Sequence, residues 1–502
     1  MPVEDMTPEE TNELLRLRGQ RQRYAKEADV SDDEGYGGIG GFKRRTWVLF
    51  SVMGGLIYGY NVSLAATLQY MRDDLRLSSA QEEAMSATAT LSDASSMLVG
   101  GYLADRFGRK ATAMFACSCS IVGALLAGAA SASFSWLVLW RLCSGVGNGL
   151  SILLIPMYIS ECVDATSRGA FLTLFQLGVN SGVAVPYIFM IAVSENWRAC
   201  LAFGSLPALY VLYNFHFHFP ESIKWLRWKE NPTTDLEDGV TDVSDEESVD
   251  SAGPVVTIKR SRNGNYQRPS EQDAATAAAA AAASPSSLAA SRAPVSPNPH
   301  LELLIGILLA YVNNCVDASL FYGPEIIAKT SSSYSRRDAN VFGLLCSLVA
   351  VVSVLFAGRF VIPRFSRRQV YLVSLAVVCA CFAASGGIFA RYTTDDFAHN
   401  PAASASIMIT FAVLNVFAAV GPSILFVVIL SELFQDNSYR ARYMSYCTFT
   451  MSLISLLVNG SMLTLFETFG TAATFIAYGA TYLVCLVFFW AYLPETKQRQ
   501  LV

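Results

Sequence analysis

Twelve apolar runs of roughly twenty residues each, the length needed to cross a ~30 Å hydrocarbon layer, constrain this chain more than any other feature. Inside lipid no water is available to bond the backbone, so every run must satisfy its own N–H and C=O groups, which an α-helix does. The first six run Thr46 to Met71, Glu82 to Leu103, Ala111 to Ala130, Trp136 to Tyr158, Ala170 to Val193 and Ala199 to Phe219. The second six run Leu301 to Tyr322, Ala339 to Phe360, Val370 to Phe389, Ala405 to Leu430, Tyr443 to Phe466 and Thr471 to Tyr492. The pattern predicts an all-α membrane protein with two six-helix halves.

Composition agrees. Only 15% of the 502 residues are charged and 53% are hydrophobic, where a soluble protein carries roughly 25% charged residues. Charge is confined to a tail, one internal stretch and short connectors. The expected organisation is therefore a cytoplasmic tail over 1–45, a first half over 46–220, a cytoplasmic loop over 221–300, a second half over 301–493 and a short cytoplasmic end over 494–502. The loop holds an acidic stretch from Asp235 to Asp250, an alanine run from Ala277 to Ala283 and Ser/Pro-rich sequence to Pro299. It has too little apolar surface to offset its ordering entropy and is expected to be largely disordered. The tail begins polar and acidic, without the apolar core of a signal peptide. Its Thr7-Pro8-Glu9-Glu10 reads as a helix start.

Several classes are excluded as expectations. The net charge of −5 arises mostly from two acidic segments and gives no reason to expect a nucleic-acid partner. Most of the eleven cysteines sit in apolar runs, where Cys acts as a small hydrophobe, and no C-x-x-C pair suggests a metal or disulfide framework. No phosphate-binding loop is present, and only four histidines. No catalytic residue, metal or cofactor is expected, and the chain does not read as an enzyme.

Orientation follows from the bases. Lys43, Arg44 and Arg45 precede the first run; Arg106, Arg109 and Lys110 follow the second; Arg364, Arg367 and Arg368 follow the eighth; Arg440 and Arg442 follow the tenth. With alternating spans all fall on one side together with the long loop. By the positive-inside rule that side and both termini are cytoplasmic.

Two matching connectors echo one another: Asp105-Arg106-Phe107-Gly108-Arg109-Lys110 in the first half and Pro363-Arg364-Phe365-Ser366-Arg367-Arg368 in the second. Such an echo marks the internal repeats of transporters. Further motifs surround it. They are Gly59-Tyr60-Asn61, Arg141-Leu142-Cys143-Ser144-Gly145-Val146-Gly147-Asn148-Gly149, Pro156-Met157-Tyr158-Ile159-Ser160-Glu161, Arg168-Gly169, Pro220-Glu221-Ser222-Ile223-Lys224-Trp225-Leu226 and Pro494-Glu495-Thr496-Lys497. With these the chain resembles the sugar porter family of the major facilitator superfamily, densely in its first half and divergently in its second.

The resemblance implies the major facilitator fold and alternating access of a central site. A sugar or polyol would move, most simply by facilitation. It also implies a gate of charges at Asp105, Arg109, Glu161, Arg168, Glu221, Lys224, Glu432, Arg440 and Glu495. Gln176, in Phe175-Gln176-Leu177, matches the family's sugar-binding glutamine, with Asn180 one turn on. The second half departs from the pattern. Its seventh run reads Tyr311-Val312-Asn313-Asn314-Cys315-Val316-Asp317 where two glutamines and an asparagine are expected, Val427 replaces a tryptophan, and Met451 replaces an asparagine. Asn313, Asn314, Asp317 and Asn415 are the candidates to replace the lost contacts. The expected partners are a small solute and the bilayer, around a monomer.

Two intramembrane acids need a reading of their own. Asp93 and Asp317 would be costly as bare charges, so each is a candidate for proton, cation or basic-group binding, or else a carboxylic acid bonded to its neighbours. Asn61 stands where proton-coupled relatives of the family carry aspartate, and an amide does not titrate. Glu10-Thr11-Asn12-Glu13-Leu14-Leu15 fits an acidic dileucine signal as well as a tail helix, which leaves the plasma membrane and endosomal or vacuolar membranes open. Asn459-Gly460-Ser461 is a glycosylation triplet by pattern alone. Beside facilitation stand two alternatives: a proton- or cation-coupled carrier using Asp93 and Asp317, and a transporter-like nutrient sensor. The short stretch after the last run counts against the sensor.

Overall fold

The computed structural model describes residues 44–62, 67, 70–71, 74–76, 79–129, 134–193, 196–230, 299–330, 336–392, 401–434 and 437–496. The tail motifs and the loop over 231–298 lie outside the described residues, as do the side chains of Asp317 and Asn459. The helical halves before and after that loop belong to one compact unit.

Every described element is helical. The first half contains α1 (Arg44–Val62), α2 (Ser79–Phe107), α3 (Arg109–Gly128), α4 (Phe134–Cys162), α5 (Ala165–Ala192), α6 (Trp197–Phe203) and α7 (Ser205–Phe217), followed by the short α8 (Ile223–Glu230). The second contains α9 (Pro299–Thr330), α10 (Arg336–Phe356), α11 (Arg367–Arg391), α12 (Pro401–Ala418), α13 (Ile424–Leu433), α14 (Asn437–Phe469) and α15 (Thr471–Tyr492). Each of the twelve runs expected from sequence is occupied by helix in the same order. Among the described residues, eight helical stretches are long and apolar enough to cross a membrane by themselves.

Prolines explain where single spans are interrupted. Pro207 lacks an N–H and crowds the carbonyl four residues back, at Phe203, where the sixth span divides into α6 and α7. In the tenth span Pro422 lies within a π-helical turn, Ala419–Ser423, between α12 and α13. A second such turn, Ala357–Val361, ends the eighth span just before Pro363.

Small residues let the helices approach closely, since lipid offers no hydrophobic drive for helix association. Gly145 and Gly149 on α4 lie against Ala89, Ser92 and Asp93 of α2. Near the end that carries the basic connectors, Trp47, Phe50, Tyr158, Phe215 and Phe219 form one buried aromatic cluster. A separate cluster of Tyr60, Met71, Trp140, Met190, Trp197 and Cys200 closes the opposite end of the first half. The exposed apolar side chains, such as Leu91, Leu125, Val352, Val484 and Trp490, form the surface that lipid would cover.

Candidate functional site

The two halves meet along two seams. α5 of the first half runs beside α10. A side chain at Gly343 would touch Tyr187 near one end, and one at Gly358 would touch Thr173 near the basic end. α2 runs beside α14, where Ser445 Oγ donates to the Met97 carbonyl and lies 3.0 Å from that of Leu98.

One turn from Thr173, α5 makes a further polar contact with the second half, at the turn between α12 and α13. Gln176 on α5 is 6% exposed, and its Nε2 donates to Ser423 Oγ at 3.1 Å. Ser423 ends the π-helical turn that contains Pro422, and that turn sets the direction of its side chain. Asn180, four residues along α5 and therefore on the same face, has a buried Nδ2 without a hydrogen-bond partner. A buried donor left unpaired costs free energy and is an open position for a ligand acceptor.

The second-half candidates have different surroundings. Asn314 donates to the Met451 carbonyl, Asn313 lies 3.5 Å from Met451 Sδ, and Asn415 donates to Phe411 O of its own helix at 2.9 Å. Their amide groups are engaged inside the second half. Val312 is fully buried, and Val427 and Met451 are nearly so. Tyr311, whose hydroxyl pairs with Thr481 at 2.8 Å, adds a polar group there. The side chain of Asp317 lies outside the described residues.

The gate candidates gather at the basic end. Arg109, 1% exposed, donates from Nε to both oxygens of Glu161 at 3.3 and 3.1 Å, and from Nη1 to Asp105 at 3.2 Å. Glu221 accepts from the backbone N–H groups of Arg109, Lys110 and Ser222. In the second half Glu432 pairs with Arg367, and Glu495 accepts from the backbone of Arg367 and Arg368. These acid–base pairs thus close mostly within a half. Bonds that cross between halves here include Arg440 Nη2 to Ser160 Oγ at 2.6 Å and the ion pair of Arg442 with Asp105 at 3.7 Å. Gly169, next to Arg168, lies against the Arg367 guanidinium.

Burial pushes the Glu221 carboxyl above its usual range. Burial lowers the Lys224 ammonium to about 7, and repulsion from Arg440 and Arg168 adds to the shift.

Asp93 lies inside the first half. Its Oδ2 accepts from Asn148 Nδ2 at 2.9 Å, while its buried Oδ1 accepts no hydrogen bond. Ser92 and Ser95 bond elsewhere, to the carbonyls of Leu142 and Leu91. Asn61 donates to Ile57 O of its own helix at 3.0 Å.

Sequence reasoning missed Ser423, Arg367 and Asn148. A serine beside a proline in an otherwise apolar span was a usable signal for Ser423. Arg367 was legible only as a topological base, and Asn148 only as part of a glycine-rich motif. Among the described residues no His, Cys, Asp and Glu cluster could hold a metal ion.

Known proteins bear on this arrangement. A family model described as "Sugar (and other) transporter" matches residues 47–502. An arabinose-proton symporter of Bacillus subtilis is 25% identical over 89% of this chain and 91% of its own length. A probable polyol transporter of Arabidopsis thaliana is 24% identical over 96% of this chain and 88% of its own. The solved structure of the proton:xylose symporter XylE bound to 6-bromo-6-deoxy-D-glucose superposes with a TM-score of 0.68 at 19% identity. The superposition covers 91% of this chain and 97% of that one and shows a shared major facilitator fold. The chain is therefore a multi-pass membrane transporter, not an enzyme, and belongs to the sugar transporter family of the major facilitator superfamily.

Proposed function

We propose that the protein moves a small hydroxylated solute, a sugar or polyol, by alternating access around Gln176, with the basic end facing the cytoplasm. The observation that carries this reading is the Gln176–Ser423 bond between the halves, with the unpaired Nδ2 of Asn180 one turn away. A solute hydroxyl can replace Ser423 as the acceptor for Gln176, and a second can accept from Asn180. The facing wall supplies Val427 and Met451 and few free amides. Sites discriminate by the polar groups that a wrong ligand leaves unpaired, and this wall has few to offer a hexose ring. D-glucose should therefore be a weak substrate, and a solute with an apolar face a better one.

Uptake into proteoliposomes tests this with D-glucose, L-arabinose, xylitol and an amine-bearing sugar, with and without a pH gradient. Gln176→Ala should raise the KM of the best solute, whereas Ser423→Ala, which removes the acceptor that competes with the solute for Gln176, should leave it unchanged or lower it. Saturable D-glucose uptake insensitive to Gln176→Ala would refute the placement of the site. A second reading, proton or cation coupling, is favoured by Asp93, whose buried Oδ1 has no donor although the residue sits in mid-span. A pH gradient that drives accumulation in wild type but not in Asp93→Asn would establish it.

A further inference from the structure

Asp93 and Asn148 face one another across the closest approach of α2 and α4. Gly149 lies directly against the Asp93 backbone carbonyl, and Gly145 lies against Ser92, so the two helices are too close for solvent to separate the side chains. The amide donates from Nδ2 to one carboxylate oxygen at 2.9 Å. Two acceptors are left over. Asp93 Oδ1 and Asn148 Oδ1 are both buried and both lack a partner. With the N–H···O bond in place, rotation about it lets the two remaining oxygens meet on the same side. Neither oxygen can donate to the other while Asp93 is ionised. A protonated carboxyl, by contrast, is a donor.

We propose that Asp93 and Asn148 form a proton-binding site, in which one proton on Asp93 Oδ1 completes a cyclic acid–amide pair with Asn148. Binding a single proton turns two unsatisfied acceptors into one O–H···O bond and leaves the N–H···O bond in place. No other atom changes partner and no second reactant is needed. The site lies within the first half, separate from the seam where Gln176 meets Ser423.

The surroundings suit a proton that comes and goes. Arg141, two turns before Asn148 on α4 and 6% exposed, is the charged group that acts on Asp93. On its other face α2 meets α14, which brings Ser445 and Ser452 to Met97. The ionisable contact of α14, Arg442 with Asp105, lies three turns away at the basic end. Arg141 also lines a cavity of about 20 Å3 with Tyr60, Asn61, Ser120, Trp140 and Ser144. Ser120 Oγ and Trp140 Nε1 in its wall lack hydrogen-bond partners, and the volume suits one or two waters. Asn61, which cannot titrate, is part of that wall.

The site also has a mechanical connection. Met97, one turn from Asp93 on α2, is the residue whose carbonyl accepts from Ser445 and whose sulfur lies 3.1 Å from Ser452 Oγ, both in the other half. A change in how α2 sits against α4 is therefore felt at the α2–α14 seam. That the proton drives solute movement rests on the coupled reading above; that it binds here does not.

Infrared difference spectra of the purified full chain between alkaline and acidic pH test the binding directly. Wild type should show the C=O band of a protonated carboxyl that Asp93→Asn lacks. In Asn148→Leu, similar in volume, the band should move to higher wavenumber, because its carbonyl no longer accepts from an amide. Asp93→Asn would itself form a cyclic amide pair and imitate the protonated site. It should fold, and its Tm should exceed that of wild type at high pH and meet it at low pH. A wild-type spectrum without an Asp93-dependent band, or a band unmoved by Asn148→Leu, would overturn the proposal. Proton-driven accumulation is read separately in proteoliposomes. Its absence beside an intact band would refute the coupled reading and leave the proton site standing.

Discussion

Gly101 is the place to test whether the α2–α14 seam opens and closes. A methyl group at 101 would stand 2.5 Å from the Ala441 carbonyl oxygen and 2.7 Å from Ser445 Cβ, where ordinary contact begins at 3.4 Å. Backbone cannot turn aside as a flexible side chain can, so Gly101→Ala requires α2 and α14 to part by about 0.9 Å at this level. The bonds from Ser445 to the Met97 and Leu98 carbonyls, one turn away, would lengthen with it. Overpacking of this kind costs roughly 1–3 kcal/mol. The cost falls only on the arrangement in which the seam is closed, so it shifts the balance between closed and open by about 5- to 150-fold. Spin labels at Phe107 and Phe365, exposed residues on the matching connectors of the two halves, report the shift through double electron–electron resonance in lipid. Gly101→Ala should move the distance distribution toward longer values. Gly387→Ala, where an added Cβ meets nothing within 4 Å, should leave it unchanged. If both variants give the wild-type distribution, the seam is not a moving contact and the argument fails.

Other consequences follow from the basic end. Lys224 has its ammonium lowered to about 7 from the ordinary 10.5 in this arrangement, so an arrangement that exposes it binds the proton more tightly. The closed contact should therefore weaken as pH falls from about 10.5 toward 7 and change little below that. Lys224→Met should flatten that dependence in the same resonance measurement, and an unchanged profile would exclude Lys224 as its source. Arg367→Ala leaves Glu432, 1% exposed, as an unpaired buried charge. The loss should be roughly 3–5 kcal/mol, read as a lower Tm in detergent. Arg367→Met with Glu432→Leu should recover most of it, and a double variant no better than the single would show that the pair is not the cause.

Much of the fold was legible because its cause is local. A run of some twenty apolar residues must be helix in lipid whatever surrounds it, and each of the twelve runs carries helix where it was expected. The proline positions are equally local, and so are the breaks at Phe203 and in the turn Ala419–Ser423. The family motifs likewise brought Asp105, Arg109 and Glu161 to attention before any contact among them was known, and those three do meet.

Residue type alone did not determine which groups each buried polar side chain pairs with. Asn313, Asn314 and Asn415 looked like replacements for lost sugar contacts, but their amides are engaged with Met451 and Phe411. Ser423 looked incidental and lies opposite Gln176, 247 residues away in the chain. Asp93 read as a proton, cation or basic-group site or as an acid bonded to its neighbours, and the residue it meets, Asn148, lies 55 residues on. Sequence therefore determined which segments cross the membrane and which residues are costly to bury there. Only the packing of one helix against another decided how each cost is met. A hydrogen bond depends on the direction of a side chain across a helix interface, and that direction is set by glycine contacts, proline turns and the seam between halves, none of which is encoded beside the residue itself.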